Sequence, residues 1–466
     1  MALNEVHMFR DVCENDFSFF VKNFLKVVEP ETSFKWNWHM ETLCHYCERT
    51  YYGDYQNLDI NIPPRMMKSL IITVLFPCWV WTKDPSKKIM AASRSFDLSL
   101  QFNNKRKRLI ESDEYKSIWP IKLKKNSEGY FENSKNGFMR AVSALGKITG
   151  TGADILISDD LLDAIDAFSA AKRTATNRWF SNAWYNRAQS KHTVKRINVN
   201  QRLHEQDVSG YIRENHNFDS LIIPMMAMEK NDSTVDFVDP RKPGEFIFPE
   251  RYDQKERDDD YKGLGNYGWS SQYMQSPKPI GGGIIKNEWL RFYESEPEFS
   301  KKIITADLSF KGNRTSDYVC FQFWGVSGPN KYLVDIVRGR WSYAETKERF
   351  KEFCAKNDAT VKYVEDKANG PALISDLSNE IKGLRGWPEK GAKYYNADKV
   401  QRLHMVSQHF EMGEVYLPKN LAIIDAYIDE LTSFTSKGST TGNDDMVDTT
   451  TMALLELKKS QSFFMG

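Results

Sequence analysis

The chain has 466 residues, of which 41% are hydrophobic and 27% are charged. That balance is typical of a globular protein and excludes a largely disordered chain, and the length predicts two domains rather than one core. The 64 basic and 63 acidic residues leave a net charge of +1. Any surface that binds nucleic acid must therefore be a local basic patch.

The six cysteines are too few and too scattered for a disulfide scaffold. Cys44 and Cys47 form a CxxC near His39, which suggests zinc, but no second pair completes four ligands, so we favour cysteines packed on an aromatic-rich helix. No basic-then-apolar signal pattern opens the chain, and the longest apolar run, residues 70–81, is too short to span a bilayer. We therefore expect a cytosolic, reducing compartment.

Short apolar strands alternate with longer helical patterns from residue 59 to about residue 225. The predicted strands are residues 59–62, 88–93, 155–158, 194–199 and 221–223. This alternation predicts a mostly parallel sheet covered by helices. Residues 229–285 carry a charge run and glycine-rich stretches, and they predict a linker subdomain that ends near Gly281–Gly283.

A second α/β pattern begins after residue 286. Three strands joined by short loops are predicted, then a helix and one more strand, at residues 303–309, 318–325, 332–337, 343–356 and 361–365. This order is the one expected of a ribonuclease-H-like sheet. The sequence thus predicts three segments, residues 1–228, 229–285 and 286–466.

Residues 62–72 read IPPRMMKSLII and lie between a predicted strand and a predicted helix. A phosphate-binding loop needs backbone N–H groups at a helix N-terminus, a lysine for the phosphates and a hydroxyl for Mg²⁺, and Lys68 and Ser69 supply the last two. The loop comprises Pro64, Arg65, Met66, Met67, Lys68 and Ser69. Because Met67 replaces the usual glycine, an ordinary strand–turn–helix is an equal alternative on this segment alone.

A second element favours a nucleotide site. Residues 155–160 form an apolar strand that ends in two acids, of which Asp159 would hold Mg²⁺ through water and Asp160 would orient the attacking water, a role that glutamate usually has. Gln201 follows the neighbouring predicted strand, where it would sense the γ-phosphate, although on this segment alone we favour a solvated strand-end loop. Together the two segments predict ATP and Mg²⁺ as cofactors.

A third constellation consists of acids. Asp307 lies within an apolar strand, where a charge is costly unless it is paired or bound to metal, and Glu365 ends another strand. Asp444, Asp445 and Asp448 open a helix. Acids that converge from two strands and a helix can hold two Mg²⁺ ions about 4 Å apart, with Mn²⁺ as a substitute. The alternative is that each acid is a cap or a surface residue. That alternative fits Asp444 best, so we prefer Asp445 as the third ligand and place Asp448 behind it.

Several basic clusters would contact a DNA backbone without regard to sequence, although for any single cluster we favour a solvated helix face. The clusters contain Lys105, Arg106, Lys107, Arg108, Lys122, Lys124, Lys125, Lys399, Arg402 and Lys437.

Four segments resemble the large subunit of tailed-bacteriophage terminases. PPRMMKS is similar to that family's Walker A loop, GKITGTGADILISDD to the segment leading into its Walker B motif, NQRLHEQDVSG to its coupling motif and QYMQSPKP to its linker. The resemblance covers roughly residues 34–455. It implies an additional-strand P-loop ATPase joined to a ribonuclease-H-like nuclease, with nuclease acids at positions matching Asp307, Glu365 and the Asp444–Asp445 pair.

The resemblance also implies a function. Such a protein translocates double-stranded DNA into a procapsid by ATP hydrolysis and cuts concatemeric DNA with two metal ions. Its partners would be DNA, the portal protein and the small terminase subunit, with no membrane. It would form a ring on the portal and a monomer in solution, in the host cytoplasm during assembly and not in the mature virion.

The chain departs from the family pattern at two positions, and two alternative functions compete with the terminase interpretation. Met67 and Asp160 depart from the family pattern and leave the ATPase rate open, and the arginine finger is not placed among Arg65, Arg94 and Arg140. One competitor is a transposase-like, metal-dependent nuclease whose N-terminal half only binds DNA. The other is a catalytically silent assembly protein.

Overall fold

The computed structural model describes residues 3–31, 35–148, 150–277, 283–308, 318–367, 369–392, 394–435, 438–439 and 443–458. Two compact units emerge. Unit 1 comprises Met1–Ala167, Ala171–Tyr261 and Asn266–Lys278, and unit 2 comprises Phe168–Ala170, Lys262–Gly265 and Pro279–Gly466. Gly281 and Gly282 of the predicted boundary and Lys437 of the basic clusters lie outside the described residues. The three-segment division therefore stays a prediction.

Unit 1 is built on an eight-stranded sheet. Its strands are β1 (Asn57–Asn61), β2 (Ile89–Ser93), β3 (Leu123–Asn126), β4 (Tyr130–Asn133), β5 (Phe138–Ser143), β6 (Ile155–Asp159), β7 (Lys195–Asn200) and β8 (Asp219–Ile222). The order is β3-β4-β5-β2-β6-β7-β1-β8, and only the β3–β4 and β4–β5 pairs are antiparallel. The predicted mostly parallel sheet is confirmed. β7 lies between β1 and β6, which is the additional strand that the resemblance implies.

Helices cover this sheet. The helices in the N-terminal part of the chain are α1 (Leu3–Asn15), α2 (Phe17–Val28), α3 (Trp38–Tyr52), α4 (Phe76–Lys83), α5 (Phe96–Glu111), α6 (Asp113–Lys116), α7 (Ala170–Trp179), α8 (Val208–Asn215) and α9 (Gln254–Gly268), and α9 is kinked at Gly265, whose backbone is not helical. Three π-helical segments accompany them, Ser69–Leu75, Phe180–Trp184 and Trp269–Tyr273.

The longest apolar run of the sequence is a buried helix. It consists of the segment Ser69–Leu75 and α4, and Pro77 lies at the start of α4, where a proline is tolerated. Cys44 and Cys47 are buried on α3, and burial raises the pKa of both thiols. Within the described part of the chain, no helix has the length and apolarity needed to cross a bilayer.

Unit 2 contains a seven-stranded sheet. Its strands are β9 (Arg291–Tyr293), β10 (Lys301–Asp307), β11 (Val319–Ser327), β12 (Asn330–Gly339), β13 (Val361–Glu365), β14 (Leu384–Trp387) and β15 (Val415–Pro418), and its helices are α10 (Tyr343–Lys356), α11 (Gly370–Leu377), α12 (Lys399–Glu411), α13 (Ile424–Ser433) and α14 (Asp445–Lys458). The order is β14-β13-β10-β11-β12-β15-β9, with antiparallel β10–β11–β12 and parallel β10–β13. The predicted ribonuclease-H-like order is confirmed.

Helix α14 is held on the face of this sheet by buried polar contacts. The Thr305 hydroxyl of β10 donates a hydrogen bond to the Thr449 carbonyl at 3.0 Å, and the Gln322 amide of β11 donates to the Met446 carbonyl at 2.9 Å. Polar side chains are costly to bury without hydrogen-bond partners, so these bonds fix the register of α14 on the strands. They bring its first residues to the edge where β10 ends.

Candidate active sites

The loop after β1 contains two residues with left-handed backbones. Arg65 and Met67 adopt φ angles of +62° and +64°, the left-handed region that glycine normally occupies. Each such residue costs about 1–2 kcal/mol when it carries a Cβ. Met67 therefore makes the turn that the expected glycine would make, and Lys68 follows it with 5% of its surface exposed.

The loop meets the two acids at the end of β6. The Lys68 ammonium lies 2.7 Å from an Asp160 carboxylate oxygen, and the Ser69 hydroxyl donates to Asp159 at 3.1 Å. Thr73, one turn further on, donates to the other Asp159 oxygen at 2.7 Å. Sequence reasoning missed Thr73, because a threonine in an apolar helical run carries no signal of its partner. The structure thus brings together all four residues proposed for phosphate, metal and water.

Asp159 is electrostatically poised for a cation. Burial and the neighbouring charge of Asp160 raise the pKa of Asp159 to about 6, although Lys68 opposes the shift. A divalent cation beside the carboxylate would offset both effects. Hydroxyl and carboxylate oxygens are the donors that Mg²⁺ prefers, so Ser69 and Asp159 fit that ion.

Gln201 lies beside this network. β7 pairs in parallel with β6, and the Gln201 backbone N–H donates to an Asp160 oxygen at 3.1 Å. Its side-chain oxygen is buried without a hydrogen bond to any residue that the structure describes. An acceptor left in this state is costly, so a donor from a bound group would stabilise it.

The segment after Gln201 is fixed by an ion pair that the sequence did not reveal. The Arg202 guanidinium lies 3.0 Å from the Asp207 carboxylate, which also accepts the N–H of Leu203 at 2.8 Å and of Gly210 at 2.9 Å. The Arg202 N–H donates to Gln275 at 3.0 Å. A displacement of Gln201 would therefore be transmitted to a rigid, closed turn.

The three candidates for an arginine finger have different environments. Arg94 is paired with Asp163 at 2.5 Å, and Arg140 donates to the Thr151 hydroxyl at 3.1 Å. Arg65 is exposed on the phosphate loop.

A cavity of about 250 Å³ opens beside the phosphate loop. Its walls combine loop residues with aromatic, basic and acidic side chains, namely Pro64, Arg65, Met66, Met225, Arg251, Tyr252, Glu256, Asp259, Asp260 and Tyr273. A larger cavity of about 540 Å³ involves α7 and α8, and its lining contains no residue of the phosphate loop or of the acid pair. Of these two cavities, the smaller one has residues of the phosphate loop in its lining.

Unit 2 carries the second site at the carboxyl edge of its sheet. Asp307 ends β10 and Glu365 ends β13, and the parallel pairing of Ala306 with Val364 places both acids at the same level. Their exposed fractions are 2% and 6%. Asp445, the first residue of α14, is also buried.

Three acids of unit 2 influence the buried Cys320 thiol. Cys320 lies opposite Asp307 in the β10–β11 ladder. Burial chiefly raises the pKa of the Cys320 thiol, and the charges of Asp445, Glu430 and Asp307 raise it further. Glu430 accepts the N–H of Met446 at 2.8 Å and so caps α14. Sequence reasoning missed Glu430, because an acid on an amphipathic helix reads as a surface residue.

Basic side chains bridge these acids. Arg338 lies 3.0 Å from Asp445 and 3.1 Å from Glu430. Arg402 and Lys399 pair with the acids Glu365, Asp444 and Asp448. Burial raises the pKa of Asp448 to about 6, against the opposing charges of Arg402 and Lys399. Carboxylate oxygens fit Mg²⁺ or Mn²⁺, yet no group of three metal-ligating side chains is assembled among the described residues.

Two basic residues proposed as DNA contacts are buried instead. Arg402 is 2% exposed and Arg106 is 0% exposed. Phosphate contacts need an accessible guanidinium, so the interpretation of these two side chains as DNA contacts is wrong. The acids of unit 2 account for Arg402, whereas Arg106 donates to the Phe102 carbonyl at 3.4 Å within its own helix.

Comparisons with known proteins point to one family. Residues 304–457 match the family described as the terminase RNaseH-like domain. No curated protein sequence matches the chain. The large terminase from a thermophilic bacteriophage superposes with a TM-score of 0.53 at 10% identity, over 88% of this chain and 98% of that one.

The same phage protein has also been solved with nucleotides. Its complex with ADP gives a TM-score of 0.52 at 12% identity, over 93% of this chain and 98% of that one. Its complex with ATP-γ-S gives 0.51 at 11% identity, over 88% and 97%. At these identities the likeness establishes the fold.

Proposed function

We propose that the chain is a terminase large subunit that packages viral DNA, because it has the fold of a large terminase and its residues 304–457 match the terminase RNaseH-like domain. Unit 1 would hydrolyse ATP to drive double-stranded DNA into a procapsid, and unit 2 would cut concatemeric DNA. The observation that carries the proposal is the network of Lys68 and Ser69 with Asp160 and Asp159, at distances of 2.7 and 3.1 Å. A P-loop lysine and hydroxyl held on a strand-end acid pair are the parts that ATP hydrolysis requires.

The proposed ATPase chemistry begins with an exchange of partners. Lys68 would leave Asp160 for the β/γ-phosphates, which would free Asp160 to orient the attacking water. Ser69 and Asp159 would hold Mg²⁺, which neutralises the charge that develops on the phosphates. The Gln201 N–H, bound to Asp160 at 3.1 Å, would pass the loss of the γ-phosphate to the turn closed by Arg202 and Asp207. The large terminase of the thermophilic phage, solved with ADP and with ATP-γ-S, supports nucleotide binding by this fold.

The proposed nuclease chemistry uses Asp307, Glu365 and Asp445 as ligands of Mg²⁺, with Mn²⁺ as a substitute. The metal would supply an activated water and stabilise the leaving oxygen. Asp445 is preferred over Asp444 because Asp445 is buried, whereas Asp444 is half-buried and paired with Lys399. Asp448, which reaches Glu365 through Arg402, would position the ligands rather than bind the ion.

The proposal includes partners beyond DNA. The family's portal protein and small terminase subunit would position the motor, as a ring on the portal during assembly in the host cytoplasm and as a monomer when free. With Arg106 excluded, the remaining candidates in unit 1 for the DNA backbone are Lys105, Lys107, Arg108, Lys122, Lys124 and Lys125, of which the last four are exposed.

A nucleotide titration tests the motor. Lys68→Ala should abolish measurable ATP binding in the full chain, because it removes the charge that faces the phosphates. Lys87→Ala, which removes a half-buried lysine paired with Asp84 at 3.4 Å, is the matched control and should bind ATP normally. Equal affinity in the two variants would reject the motor and favour the transposase-like nuclease.

A further inference from the structure

Arg402 bridges two structural elements of the nuclease site. It extends from α12, and its guanidinium lies 3.3 Å from Glu365 on β13 and 3.0 Å from Asp448 on α14. Only 2% of the residue is exposed. The guanidinium also lies over the Trp387 ring, 5.2 Å from its centroid, which excludes water from one face. Arg402 thus already fills the space between the two acids.

Arg338 repeats the arrangement on the other side of α14. One guanidinium nitrogen lies 3.0 Å from Asp445 and 3.1 Å from Glu430. The Tyr318 ring stacks on the guanidinium at 3.8 Å. A third cation, Lys399, lies 2.7 Å from Asp444 and 2.5 Å from Asp448, but its side chain is 40% exposed.

The three cations neutralise most of a dense negative charge. Five carboxylates take part in these ion pairs, on Glu365, Glu430, Asp444, Asp445 and Asp448. Buried carboxylates at such spacing repel one another and are unstable without counter-charges. A divalent ion would supply the same neutralisation, and it would need oxygens of Glu365 and Asp445 that now face arginines.

We infer that Arg402 and Arg338 are built-in counter-cations, positioning residues that hold the carboxylates of the nuclease site in the metal-free chain and compete with the divalent ion for them. This inference rests on the proposed nuclease function. It makes Arg402 the residue that weakens metal binding in the free chain, because a guanidinium keeps its charge at every physiological pH. A displacement of α12 that withdraws Arg402 would strengthen metal binding.

The chain offers a matched pair of variants. Lys367 lies 3.3 Å from the same Glu365 oxygen as Arg402, but the Lys367 side chain is 67% exposed and that of Arg402 is 3% exposed. Arg402→Gln and Lys367→Gln therefore each remove one positive charge from Glu365, one buried and one screened by solvent. Isothermal titration of the full chain with Mn²⁺, without nucleotide, compares them.

Arg402→Gln should bind Mn²⁺ at least about tenfold more tightly than the wild type, a difference of about 1.4 kcal/mol. Lys367→Gln should stay within about twofold of the wild type, since exposed ion pairs contribute little. Arg402→Lys, which keeps the charge, should restore an affinity close to that of the wild type. Equal or weaker Mn²⁺ binding by a folded Arg402→Gln protein overturns the inference.

Thermal denaturation gives a second readout. The rise in Tm on adding Mn²⁺ should be larger for Arg402→Gln than for the wild type, whereas an arginine with a purely structural role would lower Tm equally with and without Mn²⁺. If Arg402→Gln does not fold, Arg338→Gln, which removes the cation paired with Asp445, is judged by the same titration and the same criterion. Asp307→Asn distinguishes a failure of the proposed nuclease site from a failure of the proposed competition between arginine and metal. Unchanged Mn²⁺ binding in Asp307→Asn rejects the proposed nuclease site, whereas loss there together with unchanged binding in Arg402→Gln rejects only the competition.

Discussion

His39 on α3 should make the stability of unit 1 depend on pH. The residue is 1% exposed, and neither ring nitrogen has a hydrogen bond within the described part of the chain. Burial, assisted by the charges of Arg241 and Arg251, lowers the pKa of His39 to about 3 from an ordinary value of 6.5. The ring is therefore neutral in the folded protein at any pH well above 3.

The sign follows from proton linkage. The unfolded chain binds a proton at His39 more readily than the folded chain, so the associated stability is complete above a pH of about 6.5 and declines as the pH falls from 6.5 towards 3. At pH 5 the loss is about 2 kcal/mol. That magnitude depends mainly on the pKa of His39 in the unfolded chain, because pH 5 is well above its pKa in the folded protein.

Urea denaturation of the full chain at pH 8 and pH 5 measures the effect, with the transition of unit 1 identified by hydrogen exchange of α3. The wild type should lose about 2 kcal/mol more between the two pH values than His39→Leu, which cannot be protonated. Substituting the exposed His45 on the same helix by leucine controls for changes elsewhere. Equal losses in wild type and His39→Leu would refute the reasoning.

Two further substitutions test the nucleotide site and its coupling segment. Met67→Gly should raise stability by up to about 1 kcal/mol in thermal denaturation, because relief of a left-handed methionine exceeds the entropy cost of glycine. Met66→Gly, at a buried position without positive φ, should lose about 2 kcal/mol or more, and a similar loss in both variants would contradict the backbone argument. Asp207→Asn should destabilise the chain by about 3–5 kcal/mol at pH 7 in urea, because it leaves the buried Arg202 guanidinium without its counter-ion. Although burial alone would raise it, the charge and hydrogen bonds of Arg202 lower the pKa of Asp207. The stabilisation from the Arg202–Asp207 pair is therefore constant above the pKa of Asp207 in the unfolded chain, near 3.8, and is lost as the pH falls below that value. A stable Asp207→Asn protein at pH 7 would show that the pair is dispensable.

Regular elements were predictable where local signals and burial agree. The helix Tyr343–Lys356 begins at a capping box formed by Ser342 and Glu345, and both its bounds match the predicted ones. The strand Val361–Glu365 also has its predicted bounds, because its apolar residues are buried in the sheet. The strand Leu123–Asn126 was missed. Three of its four residues are exposed, so it has no apolar alternation and is stabilised by pairing with β4 alone.

In the candidate sites, too, local sequence signals predicted some features, whereas others depend on the tertiary structure. Chain order and residue type located Lys68 and the acids Asp159 and Asp160, since strand ends of one parallel sheet meet at one edge. Residue type misled at Met67, whose left-handed backbone cannot be read from a methionine. The ion pairs of Arg338 and Arg402 form between elements that come together only in the tertiary structure, so spacing along the chain does not predict them.

The most direct test of the account is cleavage of plasmid DNA by the purified full chain in Mg²⁺, in Mn²⁺ and in EDTA. The account predicts cutting in either metal and none in EDTA, loss of cutting in Asp307→Asn, and normal cutting in Asp358→Asn, which changes an exposed acid of the same unit. Lys68→Ala should still cut plasmid, since it alters only unit 1. Cutting by Asp307→Asn at the wild-type rate in Mn²⁺ would contradict the assignment of the nuclease to the edge formed by β10 and β13.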